Sequence, residues 1–178
     1  MRLMDDGLRY GPVTRALHWL MAGLLVWQFA GMFVKEIVGR SPLTAFWVGS
    51  HKGIGLLLLT LLIIRAVWGL YNLRRRPRHG RGFWGGAAVV GHLVLYALML
   101  VVPSLALLRQ YGSGKPFEAF GVQLMTNTRP EVEWMMAPAN AAHGLLAWVL
   151  LAAIGGHILM VLVHRFVWKD GTTQRMLG

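Results

Sequence analysis

The stretch Ala139-Asn-Ala-Ala-His143-Gly-Leu-Leu-Ala-Trp148-Val-Leu-Leu-Ala-Ala-Ile-Gly-Gly-His157-Ile-Leu-Met-Val-Leu-Val-His164-Arg-Phe-Val-Trp168 decides the fold. It is apolar for longer than the roughly 20 residues that cross a hydrocarbon core of about 30 Å. Three more stretches meet the same criterion, from about Ala16 to Val34, Trp47 to Tyr71 and Ala87 to Leu108. Four spanning helices leave no room for a separate soluble domain, so residues 1–178 are expected to form one transmembrane domain. The fold class expected is all-α, an integral membrane four-helix bundle.

Composition agrees: 56% of the 178 residues are hydrophobic, 14% are charged, and the mean hydropathy is +0.51. Such a balance is that of a membrane protein. The formal net charge of +11 does not indicate nucleic acid, because the basic residues lie between apolar blocks, where topogenic charge belongs. Arginines precede the first apolar run as in a secretory leader, but that run is too long and too aromatic, and no small-residue cleavage site follows. It is expected to be a retained helix.

Charge also orients the bundle. Arg2, Arg9, Arg15, Arg74, Arg75, Arg76, Arg78, Arg81, Arg165, Lys169 and Arg175 fall on one side, eleven in all. Lys35, Arg40, Lys52, Arg109, Lys115 and Arg129 fall on the other, six in all, and Arg65 lies within the second helix. The excess marks the cytoplasmic side, so both termini are expected there. Of the two external connections, the one from Arg109 to Pro138 is long and expected to cap the outer face.

There is no cysteine, which removes thiolate-ligated haem, covalent c-type haem and cysteine-ligated iron–sulfur clusters. A redox metal would need other ligands, and histidine is the available type. Six of the seven histidines fall at or near membrane depth: His18, His51, His92, His143, His157 and His164. An ionisable side chain there is costly without a partner. His79 sits in the arginine-rich loop and is read as solvated.

His143 and His157 are fourteen residues apart. At 100° per residue they return to within about 40° of one face, and at 1.5 Å per residue they stand about 21 Å apart. One helix therefore presents two imidazoles inward at opposite depths. His18, near the cytoplasmic start of the first helix, matches the depth of His157. His51, near the outer start of the second, matches His143. Paired histidines on separate helices suit a flat macrocycle with axial ligands better than a small ion that wants four close ligands. Gly53, Gly55, Gly144, Gly155 and Gly156 would leave room for such discs, although glycine also serves close helix packing. The competing account is that each histidine hydrogen-bonds across helices.

Several motifs also resemble the prokaryotic cytochrome b561 family. They are Arg15-Ala-Leu-His18-Trp19, His51-Lys-Gly-Ile-Gly55 with Arg65, Gly91-His92-Leu93 with Tyr96, and Gly114-Lys-Pro-Phe117 with Phe120-Gly121. His143-Gly144, His157 and the closing Trp168-Lys-Asp-Gly-Thr-Thr-Gln-Arg-Met176 complete the set. The resemblance covers nearly the whole chain. It implies a bacterial inner-membrane cytochrome with two haems b, held by His18 with His157 and by His51 with His143. It further implies electron exchange with ubiquinone, and one branch of the family passes the electron of superoxide from the outer side to quinone.

In that resemblance His92 and His164 fall near an inner quinone site, where histidine can hold a carbonyl oxygen and supply protons. The alternative puts His164 at the interface and gives His92 to a haem propionate. Arg15 and Arg65 lie at the inner haem's depth, suited to pairing with a propionate, with snorkelling to headgroups as the competing role. Lys52, Arg109 and Lys115 would either steer an anion to the outer haem or meet lipid phosphate. The tryptophans fit an aromatic belt.

Three functions follow: a dihaem quinone oxidoreductase fed by a donor at the outer face, the haem-bearing membrane anchor of a larger dehydrogenase, or a non-redox transporter. The lack of intramembrane acidic residues argues against the third. The partners expected are membrane lipid, quinone and the outer-face donor, with no nucleic acid.

Overall fold

The computed structural model describes residues 3–77, 82–126 and 129–177. Arg2, Arg78, His79 and Arg81 lie outside them. Among the described residues four helices are long and apolar enough to cross a membrane: α1 (Pro12–Val38), α2 (Pro42–Tyr71), α3 (Phe83–Gly112) and α4 (Glu133–Leu162). The chain is an all-α membrane bundle. α1, α2 and α3 are longer than their apolar stretches, whereas α4 starts six residues earlier than its stretch and ends six residues earlier.

The caps explain the extensions. Pro12 begins α1 after Gly11, and proline at a first turn gives up only a donor that has no partner there. Gly39, at φ 72°, ends α1 and returns its N–H to the Lys35 carbonyl at 2.9 Å. Ser41 and Thr44 then form a reciprocal capping box, with Pro42 opening α2. Only residues 39–41 separate the two helices, which forces them antiparallel. α1 consequently packs along α2, and α3 along α4, more closely than α2 meets α3, while α1 and α4 scarcely approach at backbone level.

The long outer connection is shorter than its sequence reading, since α3 runs on to Gly112 and α4 starts at Glu133 with an acidic residue in its first turn. Within it lies a hairpin that the sequence reading did not anticipate: β1 (Phe117–Ala119) pairs antiparallel with β2 (Val122–Met125). Phe120 and Gly121 turn between them, both with positive φ, at 53° and 77°. A turn of that type matches the twist of two short strands. Phe120 reaches over α2, where an added Cβ on Gly53 would lie 3.4 Å from its ring.

After Leu162 the helical register changes to a π-helical turn, Val163–Trp168, closed by Lys169 in the left-handed conformation at φ 51°. The chain then doubles back into a short α5 (Gln174–Leu177). Tyr10 donates its N–H to the Arg175 carbonyl at 3.1 Å, and the Trp19 indole N–H reaches the Met176 carbonyl at 3.4 Å. The segments at the start of α1 and around α5 therefore meet at one end of the bundle, and the hairpin lies at the other. Few residues within the spans are buried by protein, and most large apolar side chains face outward, as lipid-facing surfaces require. Met21, Leu58, Leu61 and Leu62 form the buried cluster where α1 and α2 pack, with Tyr96 and Met99 of α3 against it.

Candidate functional site

The fold brings the four histidines together as two pairs. The His51 and His143 ring centres are 6.3 Å apart, and those of His18 and His157 are also 6.3 Å apart. A metal bonded to two imidazole nitrogens at about 2 Å, each about 1 Å from its ring centre, would place those centres about 6 Å apart. Both pairs have that spacing. Each pair joins a residue on α1 or α2 to one on α4, across the interhelical space left between the two closely packed helix pairs.

The pair at the hairpin end lines a cavity of about 750 Å³. All four helices and β1 contribute to its wall, including Phe29, Gly55, Val102, Phe117 and Gly144. Its volume is in the range of pockets that hold sizeable organic ligands. His143 Nδ1 lies 3.1 Å from the Val102 carbonyl, which can only accept, so Nδ1 carries the proton and Nε2 keeps its lone pair. Such a carbonyl partner is how proteins orient a ligating histidine. Pro103 follows that carbonyl inside α3. The backbone of His51 is held by Gln28, whose Nε2 donates to the His51 carbonyl at 3.0 Å, and His51 Nδ1 is buried without a protein hydrogen-bond partner. The residues thus fit a flat iron macrocycle: two facing imidazoles, a mainly apolar wall, and glycines at Gly55 and Gly144.

Polar groups close the mouth of this cavity. Gln110 is buried on α3, accepts from Lys52 Nζ at 2.8 Å and donates to the Lys115 and Pro116 carbonyls at 3.1 and 3.4 Å. It therefore ties α2, α3 and the hairpin together. Arg109 Nε donates to Asn140 Oδ1 at 2.6 Å. Lys35, Glu36, Lys52 and Arg109 all line the cavity. Gln28 and Gln110 were missed in the sequence reading, although an amide within an apolar helix is itself a signal.

At the other end, His92 of α3 packs 5.4 Å from His157, edge to face. That is shorter than the spacing of the two matched pairs and suits ring packing. His92 Nδ1 lies 2.6 Å from the Ala88 carbonyl one turn earlier. His164 falls within the π-helical turn. Its Nδ1 meets Asp170 Oδ2 at 2.7 Å, and its ring lies 4.7 Å from Trp168. Slight burial acts to raise the Asp170 carboxyl, but hydrogen bonds from Thr172 and His164 prevail and hold it below its ordinary value.

Arg65 faces inward. Its Nε donates to Tyr96 Oη at 3.1 Å and its Nη1 to the carbonyl of Thr14, four residues before His18 on α1, at 3.0 Å. Arg15 is half-buried three residues before His18, on nearly the same face of α1. Among the described residues, no three His, Cys, Asp or Glu side chains converge as the ligand set of a small metal ion. The ligand chemistry is that of paired imidazoles.

Comparison with known proteins agrees with this geometry. The family model for prokaryotic cytochrome b561 matches residues 9–178. Cytochrome b561 homolog 2 of Escherichia coli (strain K12) is 32% identical over 172 residues, covering 96% of this chain and 92% of that protein. Probable superoxide oxidase CybB of Yersinia pestis is 28% identical over 171 residues, covering 95% and 96%. A bundle of four apolar helices carrying facing imidazoles, matched along almost its full length, belongs to the prokaryotic cytochrome b561 family and is a membrane haem protein.

Proposed function

We propose that the chain carries two haems b and transfers electrons across a bacterial inner membrane, between a donor at the hairpin end and ubiquinone at the end where the termini meet. The observation that carries this reading is the pair of equal imidazole separations, 6.3 Å each, at two depths of one bundle. His51 with His143 would hold the outer haem, and His18 with His157 the inner. The excess of Lys and Arg at the terminal end supports a cytoplasmic location for both termini.

Bound haem supplies one-electron chemistry; the protein supplies ligation, orientation and electrostatics. Val102 and Gln28 fix the outer ligands. Met21, Leu58, Leu61 and Leu62 lie between the two depths and keep water from the interval between the centres. Arg65 brings a cation to the inner end of the bundle, suited to a propionate, and Arg15 stands three residues before His18 on α1. His92 and His164 sit at the terminal end, where a quinone would need hydrogen-bond donors and protons. Asp170 holds one imidazole nitrogen of His164, leaving the other for a carbonyl oxygen.

Lys35, Lys52 and Arg109 outnumber Glu36 around the outer cavity, which supports an anionic donor. Superoxide is the anion suggested by the name of the 28%-identical relative. The test is a liposome assay in which haem-loaded chain and ubiquinone are exposed to superoxide generated outside, with quinone reduction followed optically. Reduction that slows as ionic strength rises is expected. A haem-loaded chain that reduces no quinone, but copurifies with a soluble dehydrogenase, would overturn this reading in favour of a membrane anchor.

A further inference from the structure

A buried polar cluster at the terminal end lies outside the haem ligands and the suggested quinone groups. Its centre is Asp5, in the tail ahead of α1, whose side chain is fully enclosed. Asp5 Oδ1 accepts from the Gly11 N–H at 2.8 Å and from the Thr14 hydroxyl at 2.7 Å, while Oδ2 faces Arg76 Nε at 3.4 Å. Asn72, also fully buried, accepts the Asp5 N–H at 3.3 Å and donates to the Trp68 carbonyl. The tail folds back so tightly that a Cβ on Gly11 would stand 2.5 Å from the Leu3 carbonyl oxygen.

Thr14 links this cluster to the inner pair. Its hydroxyl donates to Asp5 and accepts from Trp68 Nε1 at 3.0 Å, and its carbonyl accepts from Arg65 Nη1. By α-helical register the same carbonyl receives the backbone N–H of His18, four residues on. One residue therefore touches the backbone of His18, the Arg65 cation and the tail carboxylate. An arginine within an apolar span otherwise extends toward the headgroups, so its inward pose needs fixed acceptors, and Thr14 and Tyr96 supply them.

We propose that Asp5 is a positioning residue: acting through Thr14, it holds the Arg65 guanidinium against the His18/His157 pair and thereby sets the reduction potential of the inner haem. The inference rests on an inner haem at that pair. A cation nearby favours the reduced form, because oxidation adds positive charge to the centre. Releasing Arg65 lowers the potential. Removing the Asp5 charge without moving Arg65 has the opposite effect, so the sign separates positioning from a direct Coulomb effect.

The experiment is a redox titration of purified holoprotein that resolves the two haems, for wild type, Asp5→Ala, Thr14→Val and Thr14→Ser. Asp5→Ala and Thr14→Val are each expected to lower the inner potential by a tenfold change or more in the reduction equilibrium, about 59 mV for one electron. The outer potential stays put, and Thr14→Ser, which keeps the hydroxyl, retains the wild-type value. Asp5→Ala added to Arg65→Gln is expected to cause no further fall, since both act through one group. Trypsin cleavage at Arg9 should accelerate in Asp5→Ala as the tail is released. If Asp5→Ala does not fold, the Thr14→Val and Thr14→Ser pair decides. An inner potential that rises in Asp5→Ala, is unchanged in Thr14→Val, or moves together with the outer one overturns the proposal. A wild-type chain whose inner pair holds no haem overturns the functional reading and this inference with it, whereas an inner haem of unaltered potential overturns the inference alone.

Discussion

Replacing His143 with alanine should remove one haem and leave the other. The substitution deletes one of the two imidazoles that face each other across 6.3 Å in the cavity of about 750 Å³. His51 alone then offers one axial bond where the site was built for two. The inner pair is insulated from this change. His157 lies fourteen residues along α4, or about 21 Å of helix rise, and perturbations more than about 10 Å apart with no shared partner generally act independently. Neither His18 nor His157 lines the outer cavity. Haem per chain should therefore fall from two to one, with the inner centre's spectrum and potential retained. His157→Ala should do the converse, and the double variant should hold none. The assay is extracted haem measured against protein in purified samples, together with a reduced-minus-oxidised spectrum. Equal loss of both centres from His143→Ala would refute the assignment of separate pairs.

Three further outcomes follow. Gly31→Ala should destabilise the bundle by about 1–3 kcal/mol through overpacking, because its new Cβ would meet the Trp47 ring at 2.8 Å; Gly23→Ala, which meets nothing within 4 Å, should be neutral or slightly stabilising in the same thermal melt. Gln110→Ala should free Lys52 and the hairpin together, so that amide hydrogen exchange across Phe117–Met125 speeds up while exchange in the segment around α5 is unchanged. Asp170 is held below its ordinary value, so the closing contact with His164 stabilises the C-terminal segment above the unfolded carboxyl's pKa and is lost as pH falls through the lower folded value. Proteolysis of the C-terminal segment in wild type should therefore rise with acidification, and in Asp170→Asn it should be fast and nearly independent of pH across that range.

The parts of this fold that could be read from sequence are those set by one-dimensional patterns. Apolar length yields the four helices, and the helical period combined with alternating direction brings His18 opposite His157 and His51 opposite His143, as their ring spacings show. The hairpin was hidden because its strands are only three and four residues long and its turn carries Phe120 where asparagine or glycine is the usual signal. The π-helical turn at Val163–Trp168 was hidden because apolar character continues through it, and a change of register leaves no trace in hydropathy. Arg65 was readable as a cation within the second helix, but its anchoring on Thr14 and Tyr96 depends on α1, α2 and α3 meeting. Asp5 gave no signal, since a tail carboxylate becomes buried only when the chain closes over it.

The proposed arrangement places one haem between His51 and His143 and one between His18 and His157. Purified wild-type protein, expressed with adequate haem, should contain two haems b per chain with low-spin bis-imidazole spectra and two resolved reduction steps. A single haem per chain, or b-type absorption that persists undiminished when His18, His51, His143 and His157 are all replaced, would contradict it.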